Sequence, residues 1–161
     1  MESPDAVRRT AAILSRSGHT ISVCESCTGG LLSAWLTALA GSSRYFAGGI
    51  VAYADDIKLR VVRVRPSTLR RFGAVSPQTA RQMAVNVRVV FKTDLGLAVT
   101  GIAGPAGGTR QKPVGTVHIA LASSSRTVIR SFRFTGSRSL IRQRSCSAAL
   151  GLLHDFLRKE K

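Results

Sequence analysis

Apolar positions along the chain follow two periods. Ala6, Val7, Ala11, Ile13 and Leu14 recur at helical spacing behind Ser3-Pro4, which reads as an N-cap and first helical position, and Gly18 ends the run. The segment "TISVC" (20–24) alternates like a short strand. From Gly29 to Gly41 nearly every position is apolar, which predicts a buried helix. "YFAGGIVAY" (45–53) reads as a glycine-containing buried strand, and "DDIKLRVV" as a turn or two of helix. That helix opens on Asp55 and Asp56, whose charges suit an N-terminus. Pro66 begins a short helix that Gly73 ends. Ser76-Pro77 caps a longer one through about Lys92, with Ala80, Met83, Ala84, Val87 and Phe91 on its apolar face. "DLGLAVT" (94–100) is a strand that runs into the glycine-rich segment 101–108. After Pro113, "VGTVHIALAS" and "RTVIRSFRF" alternate about a serine turn and predict a hairpin. Leu140, Ile141, Cys146, Ala149, Leu150, Leu153 and Leu157 mark an amphipathic helix over about 137–159.

Helices before and between strands, followed by a hairpin, predict an α/β fold with a mixed sheet. No internal repeat or linker divides the 161 residues, a length suited to one domain with its own core. The two glycine loops, at Gly29-Gly30 and at 101–108, follow predicted strand ends, where open α/β sheets place their ligand crevice. No apolar run approaches the roughly 20 residues of a membrane span. The N-terminal residues carry acids and open like a capped helix, unlike a signal peptide. A cytoplasmic chain without membrane contact is the expectation.

Charge changes the picture. Lys and Arg number 24 against 8 Asp and Glu, a net charge of +16. A field of that sign gathers anions. The arginines are nevertheless dispersed through the sequence, aromatic residues are few, and no nucleic-acid-binding motif is present. The expectation is a solvated basic surface with only weak, non-specific affinity for nucleic acid.

The segment "CESCTGG" (24–30) poses three chemistries. A C-x-x-C between strand and helix fits a redox dithiol, because a helix N-terminus lowers thiol pKa. The alternative is that Cys24 faces the core and Cys27 packs beneath the loop. Zinc would need two more ligands from Cys146, His19, His118 and His154, which lie scattered singly, so zinc is rejected. In the third reading Ser26, Thr28 and the amides near Gly29-Gly30 meet an anion at a helix N-terminus, and Thr100 with 101–108 supplies further amides. Against this stands a pair of tight turns with no ligand. A hydrolase also needs a nucleophile. There is no G-x-S-x-G elbow, which leaves a serine activated by a neutral lysine. In a chain this rich in Arg, a lysine is informative, since only Lys can act as a base. Lys58 and Lys112 both qualify, and spacing does not choose between them.

Five blocks, "ESCTGG" (25–30), "GSSRYFAGGIVAYADDIK" (41–58), "GAVS" (73–76), "AVTGIAGPAGG" (98–108) and "KPVGTV" (112–117), resemble the CinA C-terminal domain, the nicotinamide mononucleotide deamidase family. The likeness spans nearly the whole chain in the same order. It implies a single-domain three-layer α/β/α sandwich and a metal-independent amidohydrolase without cofactor, acting on a small nucleotide and forming, as one option, a homodimer. By motif it implies Ser43 as nucleophile, Lys58 as general base and Tyr53 as an assistant in proton movement or orientation. Ser26, Thr28, Gly29, Gly30, Thr100, Gly101 and Gly104 would lie near the nucleotide, and Arg138 and Arg142 near its phosphate. The chain departs from the family pattern at Cys24, where Thr or Ala is usual, at Asp55 for Asn and at Ser137 for Asp. On this resemblance the C-x-x-C is incidental and the loop binds through its amides. A binding domain that uses its Arg-rich surface on nucleic acid is the competing implication.

Overall fold

The computed structural model describes residues 4–158, so the predicted Ser3 cap and Lys159 lie outside the described residues. The chain runs α1 (Pro4–Ser17), β1 (Ile21–Glu25), α2 (Leu31–Leu36), a 3-10 turn (Ser42–Arg44), β2 (Phe46–Val51), α3 (Asp55–Arg60), α4 (Pro66–Phe72) and α5 (Pro77–Phe91). It continues through β3 (Leu95–Gly101), β4 (Thr116–Ala122), β5 (Thr127–Arg133) and α6 (Arg138–Arg158). The five strands form one sheet in the order β2-β1-β3-β4-β5. β1 pairs in parallel with both β2 and β3, while β3, β4 and β5 are antiparallel neighbours. The single α/β domain with a mixed sheet agrees with the sequence reading.

Strand alternation sorts side chains by size between the two faces. Ile21, Val23, Leu95, Leu97, Val99, Val117, Ile119 and Leu121 form one core with α1, α2 and α6. Cys24, Ala98, Ala120 and Ala122 face the other way, into a core with Ala80, Met83, Ala84 and Val87 of α5. The small-residue face lets α5 lie almost on the strands. A Cβ added at Gly96 would stand 2.1 Å from the carbonyl oxygen of Ala84. Ser76 anchors α5 by accepting the amide hydrogen of Thr79, as its Ser-Pro start predicts.

Two elements differ from the sequence reading. The apolar stretch 29–41 contains only six helical residues, because its start is a loop and its end is diverted. The Tyr45 hydroxyl donates to the Leu36 carbonyl at 2.8 Å, and the Thr37 hydroxyl folds back on the Ser33 carbonyl at 2.9 Å. Side-chain donors of this kind compete with helix continuation. β2 is the sheet's edge strand rather than a buried one, so its residues alternate between half-buried and exposed.

Gly96→Ala would force α5 off the sheet. Overpacking of this kind costs about 2–3 kcal/mol. The expected result is a fall in melting temperature of roughly 4–12 °C, measured by calorimetry, for a domain of this size.

Candidate active site

The carboxyl ends of β1, β2 and β3 converge, since all three run in parallel, and the loops that follow them surround a cleft of about 250 Å³. The loop after β1 contributes Ser26 and Cys27. The segment after β2 contributes Tyr53, Asp55 and Lys58. Thr100 through Gly107 line the third side, and Arg138 at the start of α6 stands at the rim. Larger clefts lie between α1 and α6 and between α4 and α5, and neither is lined by a lysine. A further one, of about 300 Å³, holds Ser76 and Lys112, but the Ser76 hydroxyl donates to the Gly73 carbonyl and caps α5, and Lys112 Nζ donates to the Phe72 carbonyl.

The loop after β1 is organised by Glu25, whose side chain has no exposure to solvent. Its Oε2 accepts the amides of Gly30 and Leu32, both at 3.0 Å. Its Oε1 accepts the Ser33 amide at 2.8 Å and the Ser33 hydroxyl at 2.6 Å. A carboxylate at the N-terminus of α2 supplies the negative charge that the orphan amides attract. Gly29 and Gly30 both have positive φ, which the tight turn requires. The Gly29 amide donates to the Ser26 carbonyl. This corrects the expectation for Gly29 and Gly30: the anion their turn holds is Glu25, and neither lines the cleft. Thr28 is fully buried beneath the loop, with its hydroxyl unpartnered among the described residues.

Lys58 is 1 % exposed and reaches back over its own helix start. Nζ donates to the Tyr53 carbonyl at 3.0 Å and to Asp55 Oδ1 at 3.3 Å. The Ser26 hydroxyl, on the same cleft, carries no hydrogen bond within the described residues. The Thr100 hydroxyl donates to the Ala74 carbonyl, which ties the α4–α5 loop to the cleft. Gly101 and Gly104 lie on the wall. A Cβ at Gly104 would come 2.6 Å from Val114, and its backbone has φ +79°. Lys112 sits outside this cleft, where Nζ donates to the Phe72 carbonyl at 2.7 Å.

The structure separates Ser43 from Lys58. Ser43 is exposed on the 3-10 turn at the amino end of β2, whereas Lys58 follows the carboxyl end of that strand. Six residues of extended chain span roughly 20 Å. The expected pairing of Ser43 with Lys58 is therefore corrected: the two stand at opposite ends of β2, and the serine on the lysine's own cleft is Ser26. The two arginines also divide. Arg138 donates to the Gly104 carbonyl at 2.8 Å and to the Tyr53 hydroxyl at 2.6 Å, bridging two sides of the rim. Arg142 directs Nε and Nη2 at the Thr28 carbonyl, at 3.1 and 2.6 Å. It clamps α6 to the loop and does not line the cleft, so its expected phosphate contact is corrected to a structural one.

Cys24 and Cys27 point into opposite cores and are free. Burial pushes both thiols up to about 12. Glu25 adds to that rise, while Lys58 opposes it at Cys24 and the backbone amide, Arg142 and Arg138 oppose it at Cys27. A thiol in that range is the reverse of an activated one. Sequence reasoning missed Glu25 as an organising group. The available signal was an acid inside an otherwise apolar strand, directly before a glycine turn and a helix.

A mixed α/β sheet thus carries a serine and a buried lysine on one cleft at its parallel strand ends. The chain matches the CinA C-terminal domain over residues 5–157, and it belongs to that family. A CinA-like protein of Geobacter sp. (strain M21) is 46% identical over 95% of this chain, which spans 37% of that relative's length. The crystal structure of competence/damage inducible protein CihA from Agrobacterium tumefaciens has a TM-score of 0.92 and 39% identity, covering 96% of this chain and 94% of the other. A CinA superfamily protein from Klebsiella pneumoniae superposes with a TM-score of 0.95 at 30% identity, covering 99% of both chains.

Glu25→Gln keeps the shape but turns one acceptor into a donor facing backbone amides. Charge-assisted bonds of this kind are each worth about 1.5–3 kcal/mol. The urea midpoint should fall by an amount equivalent to about 3 kcal/mol. Iodoacetamide at pH 8 should leave Cys24 and Cys27 unmodified in the folded protein and label both in denaturant.

Proposed function

We propose that the chain is an amidohydrolase of the nicotinamide mononucleotide deamidase type, with Ser26 as nucleophile and Lys58 as general base. One observation carries the reading: a buried lysine and an unpartnered serine hydroxyl share a cleft at the parallel strand ends. Family membership supports the substrate class, and the names of the relatives speak only of competence or damage induction.

In this reading the amine of Lys58 takes the Ser26 proton while Oγ attacks the carboxamide carbon. The resulting oxyanion needs N–H donors aimed at it. The Ala103 and Gly104 amides, on the cleft wall, have no acceptor among the described residues and are available for that task. The lysine then returns its proton to the leaving nitrogen, and the carbon–nitrogen bond breaks with release of ammonia. Water attacks the acyl ester with Lys58 again as base, giving the carboxylate and restoring the serine hydroxyl. Asp55 and the Tyr53 carbonyl aim Nζ through their hydrogen bonds. Arg138 at the rim is the cation placed for a phosphate, with Tyr53 holding its guanidinium.

Ser26→Ala and Lys58→Met should each lower ammonia release from nicotinamide mononucleotide by about a thousandfold or more, and the double variant should be little worse, because residues acting as a unit are not additive. Lys58→Arg should fail as well, since guanidinium is no base at neutral pH. Ser43→Ala should retain near-normal turnover. Loss of activity in Ser43→Ala with full activity in Ser26→Ala would overturn the assignment.

A further inference from the structure

On the opposite side of the small-residue face from the sheet, a second concavity of about 450 Å³ lies between α4 and α5. Residues 60 to 92, which supply the helices that frame it, contain eight Lys and Arg and no Asp or Glu. Arg63, Arg65 and Arg81 all line this cleft. None of the three is in an ion pair or side-chain hydrogen bond among the described residues, in contrast to Arg60, which pairs with Asp56, and Arg130, which pairs with Asp155. Three guanidinium groups gathered in one concavity repel each other unless an anion joins them.

The cleft is also built rather than incidental. Gln78, Gln82 and Asn86 recur at four-residue spacing on α5 and form a stripe of amides along its wall. Asn86 Nδ2 donates to the Val62 and Arg63 carbonyls at 2.9 and 3.0 Å, and Gln82 Oε1 accepts the Arg65 amide at 2.8 Å. These bonds hold the α3–α4 connection against α5. They hold Arg63 at φ +61°, a left-handed conformation that a non-glycine residue adopts only when its surroundings impose it. Phe72 lines the same cleft, and Arg71 stacks over its ring at 5.2 Å. A concave groove lined by several arginines and an aromatic ring is the combination that binds single strands of nucleic acid.

We propose that the α4–α5 cleft binds the phosphodiester backbone of single-stranded nucleic acid, independently of the Ser26–Lys58 site. The ligand is extended rather than a single phosphate, because the acid-free basic stretch continues beyond the cleft on α4 through Arg70 and Arg71, both exposed. The concave shape favours a strand over a lipid surface. The arginines that look dispersed in sequence are thereby gathered by the fold.

The test is fluorescence polarisation of a labelled 20-nucleotide oligothymidylate at several salt concentrations. The triple variant Arg63→Gln/Arg65→Gln/Arg81→Gln should weaken binding about tenfold or more and flatten the logarithmic salt slope by about 2, the value for three lost contacts on a single strand. A control, Arg8→Gln/Arg44→Gln/Arg133→Gln, removes the same charge from exposed positions elsewhere and should weaken binding less than threefold. All six side chains are exposed, and Val85→Glu, which places a carboxylate in the cleft, gives an independent check with the same expected loss. Amide hydrolysis should be unaltered in the cleft variants, so failure here and failure at the serine are read separately. Equal loss in both triple variants would overturn the proposal in favour of delocalised charge. Competition by inorganic phosphate or thymidine monophosphate at matched phosphate concentration would overturn it in favour of a small ligand. Binding confined to phosphatidylserine vesicles would overturn it in favour of a lipid surface.

Discussion

The buried carboxylate of Glu25 is the constraint from which the geometry of the candidate site follows. A strand that ends inside a protein and turns at once into a helix leaves several amides without partners. Here one side chain satisfies three of them and a hydroxyl as well, at 2.6 to 3.0 Å. The turn is thereby rigid, and Ser26, adjacent to Glu25, is presented at the mouth of the sheet with its hydroxyl unengaged. Arg142 completes the clamp from α6 through the Thr28 carbonyl. A glycine loop that resembles a ligand cradle is thus filled by the protein itself. What remains for a ligand is the adjacent cleft.

The unequal faces of the sheet place the other wall of that cleft. Large aliphatic side chains on one face accept three helices, while Gly96, Ala98, Ala120 and Ala122 on the other bring α5 into backbone contact. The connection leading into α5 is then close enough for Thr100 to bond the Ala74 carbonyl. Lys112 reaches from the far side of the glycine loop to the end of α4. Packing density on one face and hydrogen bonding at its edge together fix the distance between the serine loop and Lys58.

Acids are few, and most of the described ones have a defined use. Glu25 organises a helix start, Asp94 accepts the Thr20 amide and hydroxyl at 2.7 Å, and Asp55 holds Lys58. The two Thr20 bonds keep the Asp94 carboxyl below its ordinary value. Several arginines, lacking carboxylates, bond to backbone carbonyls instead, as Arg138 does with Gly104 and Arg144 with Thr135. Arg63, Arg65 and Arg81 have no such partner among the described residues and differ from other exposed arginines in sharing one cleft.

Periodicity and turn chemistry in the sequence determined the element order, the mixed α/β class, the Ser76 cap and the hairpin, because these depend on neighbours a few residues apart. The blocks from 25 to 117 determined the family. The length of α2 was not legible, since its end depends on a hydroxyl from Tyr45, nine residues on. Nor was the edge position of β2, which strand order alone sets. Which serine shares a cleft with Lys58 was decided only in three dimensions. Ser43 is closer to Lys58 in sequence than Ser26 is, but an intervening strand carries it to the opposite end of the sheet. Ser26, 32 residues away, is brought to Lys58 because β1 and β2 run parallel and end side by side. Sequence distance measures the chain, whereas strand direction decides which ends meet.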